Sequence, residues 1–268
     1  MKLNPFHVIS SVLAGVLVLT LAALVIGRMM FAEPGVPEIR SVRSALEADR
    51  ILFVFAHPDD EILVTELIAR AVDEGIEVTT LTATRGEAGT QYPPVVDQQY
   101  LGVVREAELR RHGFALGVAR QIVLGLPDGG VPETPDAQLA GMVRAVIDEV
   151  QPDLIVGFHP ASGISMHPDH RAMGRAAELA AGEIPLLYVL GPRPGFRRFG
   201  GEAQHQVADL QPDPDFAIDA DPRLKLRAWN IHQSQTRYIQ GTAGLPAWLL
   251  YSLWRQEYYA WAAQPGTR

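Results

Sequence analysis

The sequence predicts an α/β fold: a Rossmann-like, doubly wound, mostly parallel sheet, preceded by one transmembrane helix. Three observations carry that expectation. Short apolar runs alternate with segments of helical period. One long, uninterrupted apolar stretch precedes them. And two of the runs, the first and the fourth, exit directly into clusters of His and Asp, at the strand end where open α/β folds bind ligands.

The long apolar stretch runs from Val8 to Gly27. At 1.5 Å per residue it is about 30 Å long, the thickness of a bilayer's hydrocarbon core. A cleavable signal peptide is the rival reading, with Met30-Phe31-Ala32 as its site, but signal apolar regions are shorter, about 7–15 residues. Residues 1–32 are therefore read as a single-pass N-terminal anchor, secretion after cleavage being the alternative. Lys2 on one side and Arg28 on the other leave its orientation open.

Residues 33–49 form a lead-in: a Pro/Gly tether from Glu33 to Pro37, then a brief helix within Ser41–Asp49. From residue 50 to 268 the pattern is one domain. Ile51–Phe55 is a buried strand and Ile62–Glu74 a helix; Glu77–Ala83 is a second strand, ending in Thr84-Arg85-Gly86-Glu87. A helix over Gln98–Leu116, a strand at Gln121–Leu124, a helix over Asp136–Val150 and a strand at Asp153–Phe158 follow. After His167-Pro168-Asp169-His170 a helix runs to Ala181, and Leu186–Leu190 is a fifth strand. Such alternation means parallel βαβ units. Gly191–Gly201 reads as a surface excursion, His205–Leu210 and Phe216–Ile218 as weaker strands, and Asp221–Gln235 as a helix. The aromatic segment Pro246–Ala262 is either a second membrane contact or a helix packed on the domain.

The chain has 268 residues, a net charge of −8 and no cysteine. An acidic chain is a poor partner for nucleic acid. Without thiols, any metal must be held by imidazole and carboxylate.

Ala56-His57-Pro58-Asp59-Asp60-Glu61 gathers one imidazole and three carboxylates where the first strand gives way to a helix. Adjacent carboxylates tolerate one pocket when a cation lies between them; alternatively the acids merely cap the helix. The second cluster, His167 to His170, decides between these. In the doubly wound order 3-2-1-4-5 the first and fourth strands are neighbours at the topological switch, so both clusters meet in one crevice and point to a metal site.

Together, His57-Pro58-Asp59-Asp60-Glu61 and His167-Pro168-Asp169-His170 resemble the PIG-L/LmbE-like family of zinc-dependent N-acetylglucosamine deacetylases. The resemblance covers roughly Arg50 to Leu190, with Thr84–Glu87, Leu126–Gly129 and, beyond it, His232-Gln233-Ser234-Gln235 in support. It implies a Zn2+ held by His57, Asp60 and His170, with zinc-bound water attacking the amide. Asp59 is then the general base and His167 the acid or oxyanion stabiliser, with Asp169 orienting it. The implied substrate is an N-acetylated amino sugar in a glycolipid or glycoconjugate; a different amide conjugate, or a non-catalytic anchored sugar-binding module, are the alternatives. Arg85, Glu87 and Asp169 are candidate substrate contacts, with a structural ion pair as the alternative for Arg85 and Glu87. Asp128 is read as a turn residue, Arg105, Glu106 and Glu108 as a helix face from which Arg105 could orient the site, His112 as surface, and His159 and His232 as possible pocket lining.

Overall fold

The computed structural model describes residues 5–91, 93–236 and 245–263; Lys2 lies outside them. Strands β1 (Arg50–Phe55), β2 (Glu77–Thr84), β3 (Arg120–Leu126), β4 (Leu154–Phe158) and β5 (Leu186–Leu190) run parallel. Between them pass α3 (Thr65–Asp73), α4 (Leu101–Leu116), α5 (Asp136–Val150) and α6 (Pro168–Ala181). Two later strands, β6 (Phe216–Asp219) and β7 (Gln256–Trp261), complete a seven-stranded sheet in the order β3-β2-β1-β4-β5-β7-β6. β7 is antiparallel to both β5 and β6. The expected order 3-2-1-4-5 stands, and the switch falls between β1 and β4.

The core follows from that layering. Ile51, Leu52, Phe53, Val54 and Phe55 are all buried, because helices cover both faces of a central parallel strand and erase the usual alternation. Past β1 the chain does not enter an α-helix at once. Asp60–Val64 is a 3-10 turn with Asp60 and Glu61 turned inward. Two distant residues then settle the unpaired backbone groups there. Glu257 of β7 accepts the N–H groups of Glu66 and Leu67 at 2.9 and 3.0 Å. Lys225, on α9 (Pro222–Ile231), donates to the carbonyls of Ile62 and Leu63 at 2.9 and 2.7 Å and pairs with Glu257 at 2.5 Å.

The last third departs from expectation. His205–Leu210 is not a strand but part of α8 (Glu202–Leu210); Val207 is its one β-branched residue, and Ala and Gln favour the helix. Gly191–Gly201 contains a short helix, α7 (Arg193–Phe199). The aromatic segment splits into α10 (Ala247–Leu253) and β7, whose Tyr258 and Tyr259 are buried in the sheet.

The N-terminal lead-in is also firmer than a tether. Pro37 and Ile39 exchange backbone bonds with Ala217 of β6 at 2.9 and 3.0 Å, and Arg193 grips Glu33 through Nε and a terminal nitrogen at 3.0 and 3.1 Å. After Glu33 and Pro37 are pinned, little slack remains. Ahead of them α1 (Pro5–Phe31) contains an apolar span, Ile9–Phe31, long enough to cross a membrane, with hydropathy 2.6 and its most apolar window wholly unburied. The root of α1 packs against α7 and α10.

Candidate metal centre

His57 leaves β1 and His170 stands in the first turn of α6, just beyond β4. Their rings converge: His57 Nδ1 lies 3.0 Å from His170 Nε2. Asp60 Oδ1 is 3.2 Å from the same His170 nitrogen, and Asp60 Oδ2 is 3.8 Å from His57 Nδ1. The Asp60 carboxylate is pinned by the N–H groups of Ala56 and His57 at 3.0 and 2.8 Å.

The outer nitrogens show which chemistry the inner ones can do. His57 Nε2 faces two carboxylates, Asp128 and Asp169, each at 3.1 Å, so it carries a proton. His170 Nδ1 faces the Gly163 carbonyl at 2.9 Å, so it too is a donor. In neutral rings the inner nitrogens are then bare lone pairs, aimed at each other and at a carboxylate. Such an all-acceptor cluster requires a cation, and imidazole plus carboxylate, with each His backed by an acceptor, is a donor set that suits zinc. The residues fit the metal.

A proton meets the same need. Burial alone would lower the His57 pKa, but hydrogen bonds to Asp128 and Asp169 and the charge of Asp60 raise it to about 10. Asp60, which burial would raise, is held down to about 2 by His170 and His57.

Asp59 sits at the rim with a left-handed backbone, φ 100°, a conformation that costs a non-glycine residue of order 1–3 kcal/mol. Its N–H donates to Glu61 Oε2 at 2.9 Å. Arg105, buried rather than on an outer helix face, bridges the Asp59 carboxylate (3.1 Å), the Pro58 carbonyl (2.6 Å) and the Gly86 carbonyl (2.9 Å). Burial raises the Asp59 carboxyl, Arg105 opposes it, and Asp60 and Glu61 push it further up.

His167 is exposed, its ring 4.7 Å from that of His57. Its Nδ1 accepts the Asp169 N–H at 3.2 Å, capping α6, which places the proton of the neutral ring on Nε2. Partial desolvation at the crevice mouth, with the neighbouring His57 and His170, lowers its pKa. His57, His167 and His170 also form a group able to hold a metal. The fully buried Asp169 carboxylate, expected to steer His167, turns instead to His57 and to Gly129 N–H at 2.8 Å, out of a substrate's reach.

The remaining candidates fall into place around these. Arg85 pairs with Glu106 at 2.8 Å and is largely exposed. Glu87 accepts the Asp128 N–H at 2.9 Å, so it props the loop that brings Asp128 to His57, and Asp128 is more than a turn residue. His159 is half-buried beside Ser162 and Tyr188. Glu108 binds the N–H and hydroxyl of Ser234 at 2.9 and 2.7 Å.

A second buried cluster escaped sequence reasoning. His112, read as surface, is 1% exposed; its Nδ1 and His232 Nε2 each lie 2.8 Å from Glu61 Oε1. These three also form a group with metal-ligand spacing, but His112 Nε2 and both nitrogens of His232 have no hydrogen-bond partner among the described residues, whereas metal-bound imidazoles keep one on the outer nitrogen. This cluster is a brace behind the Asp59–Glu61 turn. Helical spacing from Arg105 through Glu108 to His112 was the one available signal, since it aligns all three on one face.

Comparison with known proteins follows the same lines. Over 198 residues the chain is 34% identical to a 1D-myo-inositol 2-acetamido-2-deoxy-alpha-D-glucopyranoside deacetylase of Mycobacterium sp. (strain KMS), a match covering 59% of this chain and 63% of that relative. The protein of that name from Actinosynnema mirum is 32% identical over 237 residues, 73% of this chain and 83% of the relative. The fold matches the N,N'-diacetylchitobiose deacetylase of Pyrococcus horikoshii with a TM-score of 0.58 at 19% identity, covering 82% of this chain and 90% of that one. Residues 52–181 match the family described as GlcNAc-PI de-N-acetylase, and with both His/Asp clusters inside that stretch the chain belongs to the PIG-L family.

Proposed function

We propose that residues 50–268 form a metal-dependent deacetylase domain that removes the acetyl group from an N-acetylglucosamine conjugate, held at a membrane by α1 and acting on a lipid-linked form of that sugar. The observation that carries this reading is the acceptor-only cluster of His57, Asp60 and His170 beside Asp59. A zinc ion held by these three residues would supply Lewis acidity toward water and the amide carbonyl.

The chain's own groups do the rest. Asp59 takes the proton of the attacking water and passes it to the leaving amine; Arg105 holds its carboxylate in place. His167, through Nε2–H, donates to the oxyanion that forms on the amide carbon. Asp60 rather than His167 completes the ligand set, because Asp60 is buried and pinned by two backbone N–H groups while His167 is exposed to an incoming sugar. Asp128 and Asp169 keep the His57 lone pair pointed inward.

Family membership and the relatives' names support an acetylated amino sugar. Topology supports the lipid-linked form. β5 runs into α7, and α10 runs into β7, at the carboxyl edge of the parallel strands. The root of α1 packs on those two helices, so anchor and crevice share one edge.

The full chain, chelated and then reloaded with zinc, is expected to release acetate from GlcNAc-phosphatidylinositol in vesicles faster than from soluble GlcNAc-inositol, and from neither before reloading. No release from either by folded, loaded protein would turn the assignment to a different amide. Equal rates would remove the lipid.

A further inference from the structure

The root of α1 is a rigid joint. Phe31 is 5% exposed and stacks on Phe199 with centroids 5.2 Å apart. Arg28 Nε donates to the Ser252 carbonyl and Arg198 to the Met30 carbonyl, both at 3.0 Å. A Cβ on Gly27 would come within 2.7 Å of Leu253, so α10 lies directly against the helix. A helix fixed this firmly sets the attitude of the domain: whatever flanks its exit stands at headgroup level.

On one flank Arg197, Arg198 and Phe199 are exposed; on the other, Trp248 is 60% exposed. Guanidinium groups and indoles are what a bilayer's polar boundary attracts. Between α1 and α7 lies a cleft of about 500 Å³ lined by Glu33, Arg193, Pro194, Arg197 and Arg198. Three guanidinium groups face it; Arg193 is already neutralised by Glu33 and Asp213, which leaves Arg197 and Arg198 as the groups an anion can engage. Arg197 leans on Asp209, with both side chains more than half exposed, a pairing weak enough to be exchanged for a better anion. Fork-shaped donors match phosphate oxygens.

We propose that this cleft binds the phosphate of an anionic phospholipid, so that α7 and Trp248 of α10 form a collar that seats the catalytic edge against the bilayer. The inference rests on α1 lying in a membrane. It needs nothing from the metal centre, and it concerns bulk lipid rather than the substrate.

The test uses the full chain reconstituted in nanodiscs holding phosphatidylcholine and phosphatidylglycerol, extracted and examined by native mass spectrometry for retained lipid. Phosphatidylglycerol should be retained over phosphatidylcholine. The double variant Arg197→Gln/Arg198→Gln should lose on the order of 30-fold of that preference, at about 1 kcal/mol per arginine near an anionic surface. Quenching of Trp248 by brominated acyl chains, measured against Trp248→Phe, gives a second readout on unaltered arginines and should be strong. Equal retention of the two lipids, an unchanged preference in the double variant, or an unquenched Trp248 in a membrane-embedded chain would overturn the collar while leaving the anchor. Release of the wild-type chain from membranes by alkaline carbonate would overturn both.

Discussion

Asp59 has a left-handed backbone, φ 100°, and two partners, Glu61 and Arg105, the latter also holding the preceding carbonyl of Pro58. Its N–H on Glu61 survives any substitution, and the amide oxygen of Asn can still accept from Arg105, so Asp59→Asn keeps both bonds of the turn. Asp59→Asn is therefore expected to lower kcat by about 10²–10⁴-fold, the scale of a lost acid–base group, with zinc content unchanged by atomic absorption. A variant at full activity would remove Asp59 from the reaction. The second expectation at this scale concerns pH. His57 holds a proton up to about pH 10, and a metal must displace it. Zinc affinity should then rise about tenfold per pH unit through neutrality, and a flat dependence between pH 6 and 8 would contradict it. The sign for folding is separate. A raised His57 stabilises the metal-free fold most below its unfolded pKa of about 6.5, and that contribution fades as pH rises toward 10. The depressed Asp60 contributes above its unfolded value and is lost as pH falls toward 2.

The elements that carry the site were legible because their signals are local. β1, β4, α5 and β5 are short-period patterns bounded by turns, and the two His/Asp clusters stand in the strand-to-helix connections after β1 and β4. What failed was long-range. The position of Asp128 depends on Glu87, 41 residues away, and that of Glu61 on His112 and His232, 51 residues and farther along the chain. Gly113 misled for a simple reason: it looked like a break after His112, yet α4 runs through it, and glycine stands there because a Cβ would come within 2.3 Å of the Gln121 side chain. β7 was hidden because both its faces are covered, so Tyr258 and Tyr259 give no alternation. Its Glu257 caps α3 and pairs with buried Lys225, so Glu257→Gln should leave an uncompensated buried ammonium. A destabilisation of about 3–5 kcal/mol in urea unfolding is expected; a change below about 1 kcal/mol would mean that the cap, not the charge, matters there.

At the scale of the molecule, one edge of the sheet carries the His/Asp crevice, the Arg-lined cleft and the root of an unburied apolar helix. That arrangement explains why an acidic chain of net charge −8 keeps Arg28, Arg193, Arg197 and Arg198 together at the base of α1, and why β7 ties the far side of the sheet back to the catalytic turn through Glu257. The central claim, that His57, Asp60 and His170 form the metal centre while Glu61, His112 and His232 form a brace, is tested most directly by an anomalous difference map at the zinc edge from crystals of the loaded chain. The account predicts one peak, about 2.0–2.2 Å from His57 Nδ1, Asp60 Oδ1 and His170 Nε2. A peak among Glu61, His112 and His232 instead, or none at the first cluster in zinc-loaded protein, would contradict it.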